Sequence, residues 1–177
     1  KNLFYHDRLF FDKLLEKITK ALIDYLKMQV SAGVDAIQIF DSWGGAIPGK
    51  DYEEASLKWI RTLIAEVGSI VPIILYAKGT YPQFQSQISS GAKVISLDWT
   101  VDLNQARVDA PDNIALQGNM DPAIMNTTPA NVEREATKIL EQMKGKPGHI
   151  FNLGHGIQPT ATVECMETLV ATVTNFS

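Results

Sequence analysis

Five short apolar runs alternate one by one with amphipathic helical stretches, and each run ends on polar residues. That alternation constrains the chain more than any other feature. Parallel strands need a crossover of a dozen or more residues, which is usually a helix and nearly always right-handed. The predicted strands are Val34 to Phe40, Val71 to Tyr76, Lys93 to Leu97, Ile114 to Leu116 and His149 to Leu153. A first helix is expected from Asp7 to Ala32, closed by Gly33, with Leu14, Leu15, Ile18, Leu22, Tyr25, Leu26 and Gln29 on one inward stripe. Asp51 and Glu54 read as a capping-box start for a helix to Val67, with Leu57, Ile60, Ile64 and Val67 inward. Helical segments follow at Pro82 to Ser90 and Leu103 to Val108. Thr128 and Pro129 open a helix with Val132, Ala136, Ile139, Leu140 and Met143 inward. The last helix starts near Thr160 or Thr162, with Val163, Met166, Leu169, Val170 and Val173 on one side.

Two α/β architectures satisfy this pattern: an open doubly wound sheet and a (β/α)8 barrel. In a barrel the functional groups sit just past the C-terminal ends of the strands. Asp41 and Ser42, Lys78, Asp98 and Trp99, Asn119, and His155 all occupy that position, which favours the barrel. Five strands cannot close one, so the chain reads as an incomplete barrel or as an open sheet.

Composition narrows the function classes. With 45% apolar and 20% charged residues in 177, the sequence is that of a soluble globular domain with a substantial core. No apolar run approaches the roughly 18 residues of a membrane span. A net charge of -4 gives no support to nucleic-acid or anionic-membrane binding. One cysteine, Cys165, excludes an internal disulfide framework or a multi-cysteine metal site, and it reads as core.

His155 lies between two glycines after the fifth strand. There it can donate a hydrogen bond to a carboxylate or move a proton, or it can simply cap a turn. His6 and His149 read as structural or exposed. Ser42 has no nucleophile elbow around it and reads as a hydrogen-bonding hydroxyl on a pocket wall. Asp41 is either a pocket group or an Asx turn within its own loop. Asp98 and Trp99 line the pocket, with the indole as a flat wall, or else Asp98 pairs with Lys78 across the barrel mouth as scaffold; Asn119 reads as a side-chain amide tie between loops. Gly154-His155-Gly156 does not extend to a dinucleotide fingerprint, because Pro159 takes the last place.

Four stretches occur in order at fitting spacings: Gln38-Ile-Phe-Asp-Ser-Trp-Gly-Gly45, Leu97-Asp-Trp-Thr100, Ala115-Leu-Gln-Gly-Asn-Met-Asp-Pro122 and Phe151-Asn-Leu-Gly-His-Gly-Ile157. Together they closely resemble the uroporphyrinogen decarboxylase family. The resemblance implies a distorted (β/α)8 TIM barrel of which this chain is the C-terminal part, residues 1–177 of a single barrel domain, with about five of the eight strands. It implies removal of carbon dioxide from the four acetate side chains of uroporphyrinogen III, giving coproporphyrinogen III, with no metal and no organic cofactor. It implies a homodimer in the cytoplasm, or in a plastid if the source is a plant or alga.

By the same resemblance Ser42 and His155 contact substrate, and Phe40 forms an apolar wall. The family's arginine-rich strand, its aspartate at the pyrrole nitrogens and its tyrosine have no counterpart here and are expected upstream of Lys1. Catalytic residues are therefore expected outside this chain. An eight-carboxylate substrate calls for several arginines, and the strand ends here supply only Lys78 and His155. Two rival readings remain. One is a corrinoid-linked methyltransferase of the same fold, whose His-x-Cys zinc pair is absent. The other is an inactive half-barrel that serves as an assembly partner.

Overall fold

The computed structural model describes residues 1–176, and the chain divides into two compact units, Lys1–Ile95 and Ser96–Ser177. In the first unit a short helix α1 (Asn2–His6) leads into α2 (Arg8–Ser31). The Asp7 carboxylate caps α2 by accepting from the Phe10 amide at 2.9 Å, satisfying one of its orphan donors. Strand β1 (Ile37–Asp41) follows, then a 3-10 turn (Gly44–Ala46). Helix α3 (Gly49–Tyr52) continues through a π turn (Glu53–Leu57) into α4 (Lys58–Val67). Strand β2 (Ile73–Ala77), a 3-10 turn (Tyr81–Gln83) and α5 (Phe84–Ile88) complete the unit. Strands β1 and β2 are parallel, with Ile37 opposite Ile73 and Asp41 opposite Ala77. The core is built from the predicted face of α4: Leu57, Ile60, Ile64 and Val67 are all buried, together with Ile73 and Leu75. Full burial of such an aliphatic side chain contributes roughly 1.5–3 kcal/mol.

Strand β3 (Val94–Ser96) lies at the boundary of the units. In the first unit the Lys93 amide donates to the Ile73 carbonyl at 2.9 Å; in the second, the Leu97 amide donates to the Gln117 carbonyl at 2.8 Å. The second unit continues with α6 (Leu103–Asp109), β4 (Ala115–Met120), a 3-10 turn (Pro122–Asn126), α7 (Pro129–Met143), β5 (His149–Leu153) and α8 (Val163–Asn175). Strands β4 and β5 are parallel, with Leu116 opposite His149 and Met120 opposite Leu153. Met120, Met125, Val132, Ala136, Cys165 and Leu169 form the core, so Cys165 is a buried packing residue. Asp102, Thr128 and Thr162 cap α6, α7 and α8 through side-chain oxygens.

Several expectations are corrected. On α2, Leu14, Ile18, Leu22 and Tyr25 are exposed, while Thr19 and Leu26 are buried. The helix carries apolar residues on more than one face, and packing against α4 selects one of them. Asp51 does not cap a helix. The helix opens after Pro48, and the Asp51 carboxylate accepts from the Tyr5 hydroxyl at 2.9 Å. In an unbroken α-helix two residues five apart point about 140° away from each other; the π turn reduces that angle, and Tyr52 and Leu57 are both buried. Strand β4 runs on through Gln117, Gly118 and Asn119, which read as loop in sequence. On α8, Val163 and Val170 face outward and Cys165 with Leu169 faces the core.

Candidate functional site

Phe40 and Ser42 stand at the C-terminal end of β1 in the first unit; His155 stands just past β5 in the second. Each is placed by loops tied to the neighbouring strand of its own unit. Past β1, the Lys78 amide donates to the Asp41 carbonyl at 3.3 Å, and the Gly45 amide donates to the Lys78 carbonyl at 2.9 Å. These bonds stitch the Ser42 loop to the loop after β2. Ser42 is half-buried, and Phe40 is exposed on the opposite pleat from Ile39, edge-on to Tyr76 with ring centroids 5.9 Å apart.

Past β5, the Gly154 amide donates to the Met120 carbonyl at 2.7 Å. A side chain at Gly154 would collide with the backbone of Trp99, so glycine allows the two loops to approach. His155 then meets Trp99 edge to face, with centroids 6.2 Å apart and planes at 77°. Its Nδ1 accepts from the Gly156 amide at 2.7 Å. In the neutral ring the proton is therefore on Nε2, and Nε2 is a donor.

The Trp99 loop is itself held. The Asn119 amide nitrogen donates to the carbonyls of Asp98 at 2.9 Å and Val101 at 2.7 Å. The predicted side-chain amide bonds are thus observed, but they tie strand β4 to one loop, since Asn119 lies within β4. Asp98 is buried, and its carboxylate accepts from the Thr100 amide at 2.9 Å and from the Thr100 hydroxyl in an Asx turn. His149 is half-buried, with Nε2 2.9 Å from the Gly118 carbonyl; burial lowers its pKa from the ordinary histidine value, and that hydrogen bond opposes the shift. A cavity of about 270 Å³ beside this corner is lined by Trp99, Val101, Asn119, Met120, Lys138 and Gln142 among others. It is smaller than the roughly 300–1,000 Å³ of drug-sized ligand sites and does not suit a large ligand.

Sequence reasoning missed three participants. Ser56 bonds the Asp41 carboxylate, Tyr52 is buried beside it, and the buried Arg107 donates to the carbonyls of Ile114, Ala110, Pro111 and Pro147. The π turn that faces Ser56 and Tyr52 inward has no signature in composition or period. Arginine on a short exposed-looking helix gives no signal of burial either. Among the described residues, no group of three or more His, Cys, Asp and Glu side chains is arranged to hold a metal ion.

The profile of the family described as uroporphyrinogen decarboxylase (URO-D) matches residues 1–176. The chain belongs to the uroporphyrinogen decarboxylase family. It is similar to the uroporphyrinogen decarboxylase of Ruthia magnifica subsp. Calyptogena magnifica, 39% identical over 182 residues that cover 100% of this chain and 52% of the relative. It is also similar to the enzyme of that name from Coxiella burnetii, 40% identical over 172 residues, 94% of this chain and 48% of the relative. The chain thus spans about half the length of the curated relatives it matches. A methyltransferase from Methanosarcina mazei superposes with a TM-score of 0.77 over 89% of this chain and 47% of its own, at 21% identity. That likeness shows the fold: parallel strands alternating with helices, five among the described residues, in the α/β class of the TIM-barrel uroporphyrinogen decarboxylases. No helix among the described residues is long and apolar enough to cross a membrane.

Proposed function

We propose that this chain is the C-terminal part of a single (β/α)8 barrel, and that the complete protein is a uroporphyrinogen decarboxylase. In this reading it converts the four acetates of uroporphyrinogen III to methyls, releasing carbon dioxide and forming coproporphyrinogen III. The observation that carries the reading is the match to enzymes of that name at about 40% identity over nearly the whole chain. His155 Nε2 and the Ser42 hydroxyl act as donors to substrate carboxylates, with Phe40 as an apolar wall. The ring α-carbon next to the acetate-bearing carbon is protonated, the bond between the acetate methylene and its carboxylate breaks with its electron pair flowing into the cationic pyrrole, and the exocyclic methylene so formed takes up a proton to become the methyl while the ring carbon gives its proton back. A buried carboxylate stabilises that cation electrostatically. That carboxylate, and the arginines that bind the remaining acidic side chains, belong to the part of the barrel outside this chain. This half orients acetates. The complete protein works as a homodimer in the cytoplasm, or in a plastid in a plant or alga.

An anaerobic conversion assay tests this. The chain alone is expected to form little or no coproporphyrinogen, and the complete protein is expected to form it without added metal or cofactor. Full conversion by the chain alone overturns the division of labour. No conversion by the complete protein overturns the decarboxylase reading.

A further inference from the structure

We infer that Asp41 is a positioning residue for Ser42: its carboxylate, held by Ser56 and covered by Gly44, sets where the Ser42 hydroxyl is presented. The inference rests on Ser42 being a substrate donor, as proposed above. Asp41 is the last residue of β1, and Ser42 is the first residue of the loop that follows. The Asp41 side chain does not close an Asx turn in its own loop. It reaches the π turn, where the Ser56 hydroxyl donates to Oδ2 at 2.7 Å.

The loop folds over this carboxylate. A Cβ at Gly44 would lie 2.7 Å from Asp41 Oδ2 and 2.9 Å from Thr80 Cγ2, so the backbone rests directly on the two side chains. The 3-10 turn is closed by the Ala46 amide on the Trp43 carbonyl at 2.9 Å and the Ile47 amide on the Gly44 carbonyl at 3.1 Å. Beneath lies a polar layer. Thr80 donates to the Ala77 carbonyl at 2.6 Å, and the Gln87 amide donates to the Thr80 hydroxyl. Tyr52, 1% exposed, has its hydroxyl in this layer without a well-formed hydrogen bond; burial first, then the Asp41 charge, raises its pKa. The carboxylate is thus held by the Ser56 hydroxyl of the π turn, with Tyr52 of α3 beside it.

Its direction decides how it acts. The carboxylate is turned to Ser56 and lies under the Gly44 backbone, so it is a support and not a substrate contact. Its effect passes through the adjacent hydroxyl. A residue acting that way is silent once the hydroxyl is gone.

The test is a double-mutant cycle in the complete protein, read as kcat/KM for uroporphyrinogen III decarboxylation. Asp41→Ala is expected to lower kcat/KM about tenfold, the scale of one lost hydrogen bond and its ordering. Asp41→Asn keeps an acceptor for Ser56 and is expected to recover most of the loss. In a Ser42→Ala background, Asp41→Ala is expected to cost less than about twofold. A full tenfold loss in that background means Asp41 acts separately from Ser42 and overturns the inference. So does an Asp41→Asn variant as impaired as Asp41→Ala. If Asp41→Ala does not fold, Ser56→Ala carries the same cycle, since it removes the hydrogen bond and keeps the carboxylate. Active wild type with an impaired Ser42→Ala and additive Asp41 effects refutes the positioning role alone. Inactive wild type, or an unimpaired Ser42→Ala, refutes the reading beneath it and the inference with it.

Discussion

The backbone amide of Gly156 donates to Nδ1 of His155 at 2.7 Å, which in the neutral ring leaves the proton on Nε2. A histidine with Nδ1 occupied as an acceptor presents an N–H at Nε2, and protonation of the ring has to displace the Gly156 amide. His155 is thereby suited to donate to a carboxylate. Its exposure means that little packing depends on it.

His155→Ala in the complete protein is expected to lower kcat/KM by about 10- to 100-fold, the range for a hydrogen bond to a charged group. The melting temperature should stay within about 2 °C, since the side chain is exposed. Steady-state kinetics beside a thermal melt checks both. Loss of cooperative unfolding would assign His155 to the scaffold instead.

Asn119→Ala removes two bonds to the loop after β3 and leaves the carbonyls of Asp98 and Val101 without that donor. The expected cost is roughly 1–3 kcal/mol in urea unfolding. Because the same loop carries Trp99 against His155, Trp99 fluorescence should shift in the folded variant.

Arg107→Lys keeps the charge and loses the fork. The guanidinium of Arg107 spans four carbonyls from 2.7 to 3.4 Å, two from each terminal nitrogen. One ammonium cannot reproduce that geometry. A loss of roughly 2–3 kcal/mol is expected from denaturant unfolding, since several carbonyls lose their donor.

Acid should weaken the fold through His149. Its pKa is lowered in the folded state, so the unfolded chain binds this proton more readily. The contribution is present above the ordinary histidine value near 6.5 and is lost as pH falls below it toward the folded value. Unfolding free energy measured from pH 7.5 downward should decline there, and His149→Gln should flatten that part of the curve. An unchanged slope in the variant would remove His149 as the cause.

Local chemistry made much of the fold legible. The Thr128-Pro129 start, the β5 span His149–Leu153 and the inward face of α4 all follow from capping groups and period, which neighbours in sequence supply. The places of Phe40, Ser42 and His155 at strand ends follow from the same alternation, as does Asn119 as a tie. Tertiary structure alone decided the rest. Periodicity puts one stripe of α2 inward, yet Leu14, Ile18, Leu22 and Tyr25 of that stripe are exposed; packing against α4, with Lys27 on Glu66 at 2.6 Å, selects the face that is buried. The π turn adds a residue to one helical turn, and that single offset brings Ser56 to Asp41, fifteen positions away in sequence. The His155 tautomer is set by a backbone amide whose direction depends on how the chain leaves β5. Sequence carries pattern along one dimension; which of two equivalent faces is covered, and which atom a side chain finds, are energies of contact that exist only after the chain has folded.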